Sequence, residues 1–155
     1  MEEKICSFAG HSQIYGDYDI RTKITNAITN LIENYGVTTF YNGYKGAFDI
    51  LCADCVKDIK NNYPYIKSHM ILSYVPVEKT KYEINLYKDF DEIIYPSLEY
   101  VPKRLAILKR NEWMVDESSF LIVYVERDWG GAYKTLEYAK KKKHIKVINL
   151  CESDI

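Results

Sequence analysis

The chain has 155 residues, of which 47% are hydrophobic and 28% charged, and a formal net charge of −1. That is the balance of an ordinary globular protein, long enough to bury a core without staples, and one domain over residues 1–155 is expected. A charge so near zero gives no global attraction to nucleic acid or to a membrane surface, and no apolar run approaches the length of a membrane span.

In chain order, KICSFAG (4–10) is a short apolar run ending in Gly and predicts a buried strand. Asp17 is placed to cap a following helix, in which Ile20, Ile24, Ala27, Ile28, Leu31 and Ile32 recur at helical spacing; Gly36 is its stop signal. The β-branched and aromatic VTTFYN (37–42) predicts a second strand, broken by GYKG. From Ala47 a second helix buries Phe48, Leu51, Val56 and Ile59 and ends near Tyr63-Pro64. SHMILSYV (68–75) predicts a third strand, and residues 76–101 a long polar loop with room for a short helix and an extended IIYP piece. A helix over VPKRLAILKRNEWMV (101–115), a central strand over SFLIVYV (119–125), a last helix over 131–143 and a last strand over IKVINL (145–150) complete the pattern.

Strands that alternate with helices imply parallel pairing, because parallel neighbours need crossover connections, and they imply helices on both faces of the sheet. The expected fold is therefore α/β, with a mainly parallel sheet of five strands or slightly more. Ligands in such a fold sit beyond the carboxyl ends of the strands. That rule selects four loops: AGHSQ, YNGYKG, the 76–101 segment and ERDWGGAYK.

Two of these loops carry glycines where a strand empties into a helix, Gly43-x-x-Gly46 and Gly130-Gly131. Glycine there serves turn geometry, and it also lets backbone N–H groups at a helix N-terminus approach an anion such as phosphate. Two such loops on one edge favour the phosphate reading. Neither the dinucleotide fingerprint G-x-G-x-x-G nor the Walker lysine pattern is present. His11 follows Gly10 at the tip of the first strand, where it is placed to meet a phosphate or a base or to be a solvated loop histidine. Arg110 and Asn111, beside Lys109, lie late in the third main helix; Arg suits bidentate phosphate contact, and cations there also complement the helix dipole. Trp129 is placed to stack on a ring or to cover a strand end, and Asp49, Asp116 and Glu137 are carboxylates that ribose hydroxyls or helix caps could use. The run Lys140 to Lys143 reads as solvated surface. No G-x-S-x-G elbow occurs, and Ser7 with His11 lacks a third group.

The four cysteines, Cys6, Cys52, Cys55 and Cys151, are expected to be reduced thiols of a cytoplasmic protein, since the charged start MEEKICSF does not read as a signal peptide. The Cys52-x-x-Cys55 pair falls within a helical pattern and lacks further ligands, so no metal is expected. The 15 tyrosines pack like apolar residues and keep a hydroxyl, as ligand pockets use them, although biased composition also supplies them.

The stretches CSFAGHSQI (6–14), FYNGYKGAFDILCADCV (40–56), YPSLEYVPKRLAILKRNEWMVDESSFLIVYVERDWGGAYKTLEYAKKK (95–142) and IKVINL (145–150) resemble the SLOG superfamily, which contains the Lonely Guy phosphoribohydrolases and the DprA core. Among its members they are most similar to the small YpsA/YoqJ-like proteins. The resemblance implies a Rossmann-like three-layer sandwich with a nucleotide-derived ligand over the sheet's carboxyl edge. On it the ligand-binding set is Gly10, His11, Asn42, Gly43, Lys45, Gly46, Arg110, Asn111, Trp129, Gly130, Gly131, Lys134 and Thr135. Gly130, Gly131 and Thr135 would donate to phosphate, with Trp129 flanking.

The hydrolases of this group carry R-K-x-x-M and then P-G-G-x-G-T-x-x-E. Here Arg110 and Met114 match, with Asn111 for Lys; Gly130, Gly131 and Thr135 match with one residue inserted, and Lys134 replaces a glycine. The motif's Glu falls on Tyr138, and Glu137, one position away, points about 100° around the helix. The resemblance thus implies non-catalytic binding of a phosphorylated, nucleotide-derived molecule, such as an ADP-ribose derivative in antiphage defence or anti-defence, by a sensor or a sequestering protein. No catalytic residue and no cofactor is expected. The alternatives are a nucleoside-monophosphate phosphoribohydrolase using Glu137 or Asp116, and a protein-interaction regulator of division and growth. Partners implied are the small molecule and a second copy of the chain in a homodimer or larger assembly, with nucleic acid and membrane excluded as main partners.

Overall fold

The computed structural model describes residues 3–14 and 16–151. Six strands, β1 (Ile5–Gly10), β2 (Thr39–Asn42), β3 (Lys67–Ile71), β4 (Glu92–Ile94), β5 (Phe120–Tyr124) and β6 (Lys146–Asn149), alternate with five helices, α1 (Ile20–Tyr35), α2 (Ala47–Ile59), α3 (Lys81–Tyr87), α4 (Ala106–Glu117) and α5 (Gly131–Lys140). All strand pairs are parallel, in the order β4-β3-β2-β1-β5-β6. The six strands agree with the expected parallel sheet of five strands or slightly more.

Side-chain alternation along each strand divides the core. Cys6 and Phe8 of β1, Phe40 of β2 and Phe120, Ile122 and Tyr124 of β5 face α1 and α2, where they meet Ile24, Ile28, Leu31, Phe48 and Cys52. Their neighbours Ala9, Leu121 and Val123 face the other way, against Val115 of α4 and Leu136 and Ala139 of α5. Both faces of the central strands are therefore covered, which is why FLIVY is a continuous apolar run rather than an alternating one.

Several boundaries differ from the sequence reading. Asp19, not Asp17, is the N-cap position of α1; Asp17 accepts the Asp19 N–H at 3.1 Å and pairs with Lys23 and the Tyr124 hydroxyl. The third strand stops at Ile71, four residues early, after the Leu72 N–H reaches Ile94 O at 2.8 Å. The 76–101 segment holds α3, started by a reciprocal Thr80–Glu83 capping box, and the edge strand β4. Pro102 heads a single 3-10 turn (Lys103–Leu105), so α4 begins only at Ala106 and runs to Glu117.

Order reverses between β1 and β5: the chain leaves β1 toward β2, β3 and β4, and returns on the far side through β5 and β6. Such a switch point opens a crevice at the carboxyl ends of the two strands. Gly10 ends β1 there, and its lack of a side chain has a packing cause: a Cβ would lie 2.3 Å from the Phe48 ring. Gly10→Ala is expected to destabilise by about 1–3 kcal/mol through overpacking, and Phe48→Leu in the same chain is expected to recover part of that loss. Urea denaturation of the single and double variants checks this; additive losses would refute the contact as the cause.

Candidate functional site

A cleft of about 250 Å³ occupies the switch point. The end of β1, Gly10 and His11, forms its floor; Lys45 and Asp49 at the start of α2 form one wall, Arg127 and Gly131 at the start of α5 the other, and Ile107, Arg110 and Asn111 of α4 close it. The starts of α2 and α5 therefore share one rim. Gly46 and Gly130, the two N-cap positions, have φ of 97° and 95°, in the region that favours glycine, and neither helix has a side-chain cap. No acidic residue occupies the first turn of α5. Its positive end is left for a guest. At α2 the Ala47 N–H is already taken by Ser12 O at 2.8 Å, which docks the β1–α1 loop on the helix start.

Arg110 is 3% exposed and donates to Gly43 O at 3.0 Å and Ile71 O at 3.4 Å, and through Nε to Asn111 Oδ1 at 3.2 Å. It clamps the β2–α2 turn to the end of β3. A Cβ on Gly43 would lie 2.5 Å from the guanidinium carbon, so Gly43 is glycine to admit Arg110. Asn42 is equally internal: it donates to Asp49 O at 2.8 Å and accepts the Tyr44 N–H at 2.6 Å.

Asp49 is the carboxyl of the cleft among the described residues. One oxygen accepts the Lys45 N–H at 3.1 Å, while Oδ1 is buried without a partner. Burial pushes its pKa up to about 7, against the opposing pull of the Lys45 hydrogen bond and the Arg110 charge. Arg127 mirrors it across the cleft: Nε is buried without a partner, and the guanidinium carbon lies 3.9 Å from the centre of the Trp129 ring. Of the three orphaned buried side-chain atoms among the described residues, two thus belong to this cleft. Native structures rarely leave such groups unpaired, which sets this cleft apart from the rest of the described residues. His11 is buried, and its Nε2 accepts the Glu126 N–H at 3.0 Å. Burial and the Arg127 charge hold the imidazole below its ordinary pKa, which leaves it neutral with its proton on Nδ1.

Of the thirteen residues expected in the site, Gly10, His11, Lys45, Arg110, Asn111 and Gly131 line the cleft. Asn42, Gly43 and Gly46 build the turn behind it. Thr135 is 1% exposed; its hydroxyl donates to Gly131 O at 3.0 Å and accepts from Asn111 at 3.3 Å, so its donor is spent within the helix. Trp129 is 63% exposed and holds Arg127, and Gly130 and Lys134 do not line the cleft. Glu137 pairs with Lys140 at 3.5 Å, and Tyr138 donates to Asp116, all outside the cleft. Arg127 is the contributor that the sequence reading passed over, although it stands within ERDWGGAYK as a cation directly before the glycine pair.

No family model matches the chain, and neither does any curated protein. Solved structures do share its fold. It is similar to DNA processing protein A (DprA) from Streptococcus pneumoniae, at 14% identity and a TM-score of 0.66 over 94% of this chain; it spans about half, 49%, of that protein. It is similar to DNA processing protein A from Helicobacter pylori, a protein described by its unique single-stranded DNA binding mode, at 16% identity and a TM-score of 0.64 over 97% of this chain and 68% of the other. TM1055 matches at 12% identity and a TM-score of 0.54, over 88% of this chain and 68% of that one. The chain shares the Rossmann-like α/β fold of these proteins. The expected exclusion of nucleic acid as a main partner is corrected by the Helicobacter protein, whose fold carries single-stranded DNA binding. That exclusion rested on net charge, whereas recognition is set by local charge, and here Lys45, Arg110 and Arg127 converge on one cleft.

A carboxyl whose folded pKa of about 7 exceeds its ordinary 3.8 makes folding less favourable as pH rises through that interval, because the unfolded chain releases its proton first. Asp49→Asn keeps the acceptor for Lys45 and removes the titration. The variant is expected to gain on the parent chain between about pH 4 and pH 7, reaching roughly 2–4 kcal/mol above that range and little below it. Denaturation across pH checks this; a pH-independent gap would refute it.

Proposed function

We propose that the chain binds a phosphorylated, nucleotide-derived molecule in the switch-point cleft and does not turn it over. The observation that carries this reading is the orphaned pair, Arg127 Nε and Asp49 Oδ1, on two residues that line the same 250 Å³ cleft beside the uncapped start of α5. A phosphate oxygen accepts from Arg127 and from the α5 amides, and protonated Asp49 supplies a further donor. Neutral His11 adds its Nδ1 proton without adding charge. The carboxyl that the hydrolase pattern requires is displaced: its place is Tyr138, engaged with Asp116, and Glu137 lies on the surface. Such a module acts as a sensor or a sequestering protein for a signalling nucleotide, for instance an ADP-ribose derivative.

The likeness to the Helicobacter DprA favours a second reading, in which the phosphate belongs to a single DNA strand. The same groups recognise a phosphate in either setting, and affinity distinguishes them.

Calorimetry of the purified chain against AMP, ADP-ribose, cyclic ADP-ribose isomers, cyclic dinucleotides and a short single-stranded oligonucleotide tests both readings. Gly131 faces open space, so Gly131→Asp places a carboxylate in the cleft without a steric clash, at a helix start that favours it. It is expected to abolish binding with no fall in melting temperature, and Arg127→Ala to weaken binding about tenfold or more. Affinity is expected to fall as pH rises past about 7, since ionised Asp49 opposes an anion, and Asp49→Asn to remove that dependence. No heat with any of these ligands would sink the proposal. Free base released from AMP, and lost in Asp49→Asn, would replace binding with hydrolysis.

A further inference from the structure

A second cavity of about 270 Å³ adjoins the first, and Lys45, Ile107 and Arg110 line both. Neither alone reaches the roughly 300–1,000 Å³ usual for small-molecule sites, and the two together do. Their linings differ in kind. The first offers amides and cations, whereas the second is framed by Tyr44, Tyr74, Tyr82 and Tyr87. Its carboxylate, Glu83, is committed to the Thr80 capping box.

The two cavities are also built by the same parts. Tyr44 has φ of 54°, a left-handed conformation uncommon for a bulky aromatic residue and costly unless its surroundings impose it. Those surroundings are Asn42, which accepts the Tyr44 N–H, and Gly43, pinned by Arg110. The clamp that shapes the first cleft therefore also fixes the backbone of Tyr44, which lines the second cavity together with Tyr82 from α3 and packs edge-on against Phe90. Tyr74 and Tyr82 are 61% and 66% exposed, aromatic surface left open beside a polar cleft. Lys45 is exposed on the shared wall, where it is placed to meet a bridging phosphate.

We infer that the second cavity seats a second heteroaromatic ring, so that the ligand class is two nucleoside units joined through phosphate. This rests on the phosphate-binding reading of the first cavity and adds to it. Free dinucleotides with a pyrophosphate link and neighbouring nucleotides of one strand share this chemistry. Tyrosine faces accept any base by stacking, and each stacked base adds measurably to affinity.

The test titrates the full chain with AMP, with diadenosine pyrophosphate and with the single-stranded dinucleotide pdApdA. One of the two-base ligands is expected to bind about tenfold or more tighter than AMP. Tyr82→Ala is expected to bring that ligand down to the AMP level while AMP affinity holds, and Tyr82→Phe, which keeps the ring, to retain most of the advantage. The preferred two-base ligand identifies the linkage and hence the source. Equal affinity for AMP and both two-base ligands would overturn this inference alone, as would an equal loss for AMP and the two-base ligand in Tyr82→Ala. Absence of binding by AMP and by both two-base ligands would overturn the underlying phosphate reading as well.

Discussion

The carboxyl edge of this sheet is organised by one buried cation. Arg110 reaches from α4 across the sheet edge and spends its donors on the carbonyls of Gly43 and Ile71. Carbonyl dipoles offset part of its desolvation cost and leave the net charge in place, so the nearby cleft stays positive. Three positions follow from that clamp: the start of α2, the left-handed Tyr44, and the depth at which Asp49 is buried. A residue read as a phosphate ligand thus also frames the cleft that it lines: Nη1 holds the Gly43 and Ile71 carbonyls, and Nε holds Asn111.

Asp49 shows the consequence of placing a carboxyl beside that frame. The Arg110 charge and the Lys45 amide favour its ionised form, yet burial outweighs both and holds its pKa near 7. Near neutral pH the group is therefore divided between its protonated, donating form and its ionised form, and under the proposed reading an anion would favour the protonated one. The same group without its proton would oppose the guest. Arg127, which lines the same cleft, lies with its guanidinium carbon 3.9 Å from the centre of the Trp129 ring, a cation–π contact that restrains a flexible side chain. The exposed Trp129 ring therefore acts through the arginine it supports.

The fold was legible because burial on both faces writes itself into sequence as short continuous apolar runs separated by helical periodicity. FLIVY and KICSFAG could hardly be anything but central strands. The edge strand β4 was marked only by the extended IIYP piece, since exposed Glu92 and two half-covered isoleucines leave no period to read, and α3 only as a short helix, with Thr80 and Glu83 at capping-box spacing. Within the loops that the sequence indicated, several residues have packing roles that the sequence alone does not show. Gly10 and Gly43 are small because Phe48 and Arg110 press on them, a reason that lies in distant residues and is invisible locally. Thr135 turned back on its own helix, a choice open to any helical threonine. Arg127 was in plain view, but only the folded loop shows that it bends back over Trp129. Net charge misled most, because summing over the whole chain erased the convergence of three cations at one edge.

Proteins with this fold need not share a guest, because a fold fixes where a site lies, here the switch-point crevice, and not what it binds. What distinguishes one guest from another must lie in the segments bordering that crevice. Here the bordering segment is the stretch between β3 and α4, which interrupts the regular alternation with α3 and carries Tyr74, Tyr82 and Tyr87. None of the α3 residues is buried, so the core does not require this helix where it stands. A helix held by its own capping box, contributing aromatic surface to a cavity that shares Lys45, Ile107 and Arg110 with the switch-point cleft, is better explained by recognition than by folding. Specificity in this chain is therefore to be sought in the segment that the regular fold could most easily do without.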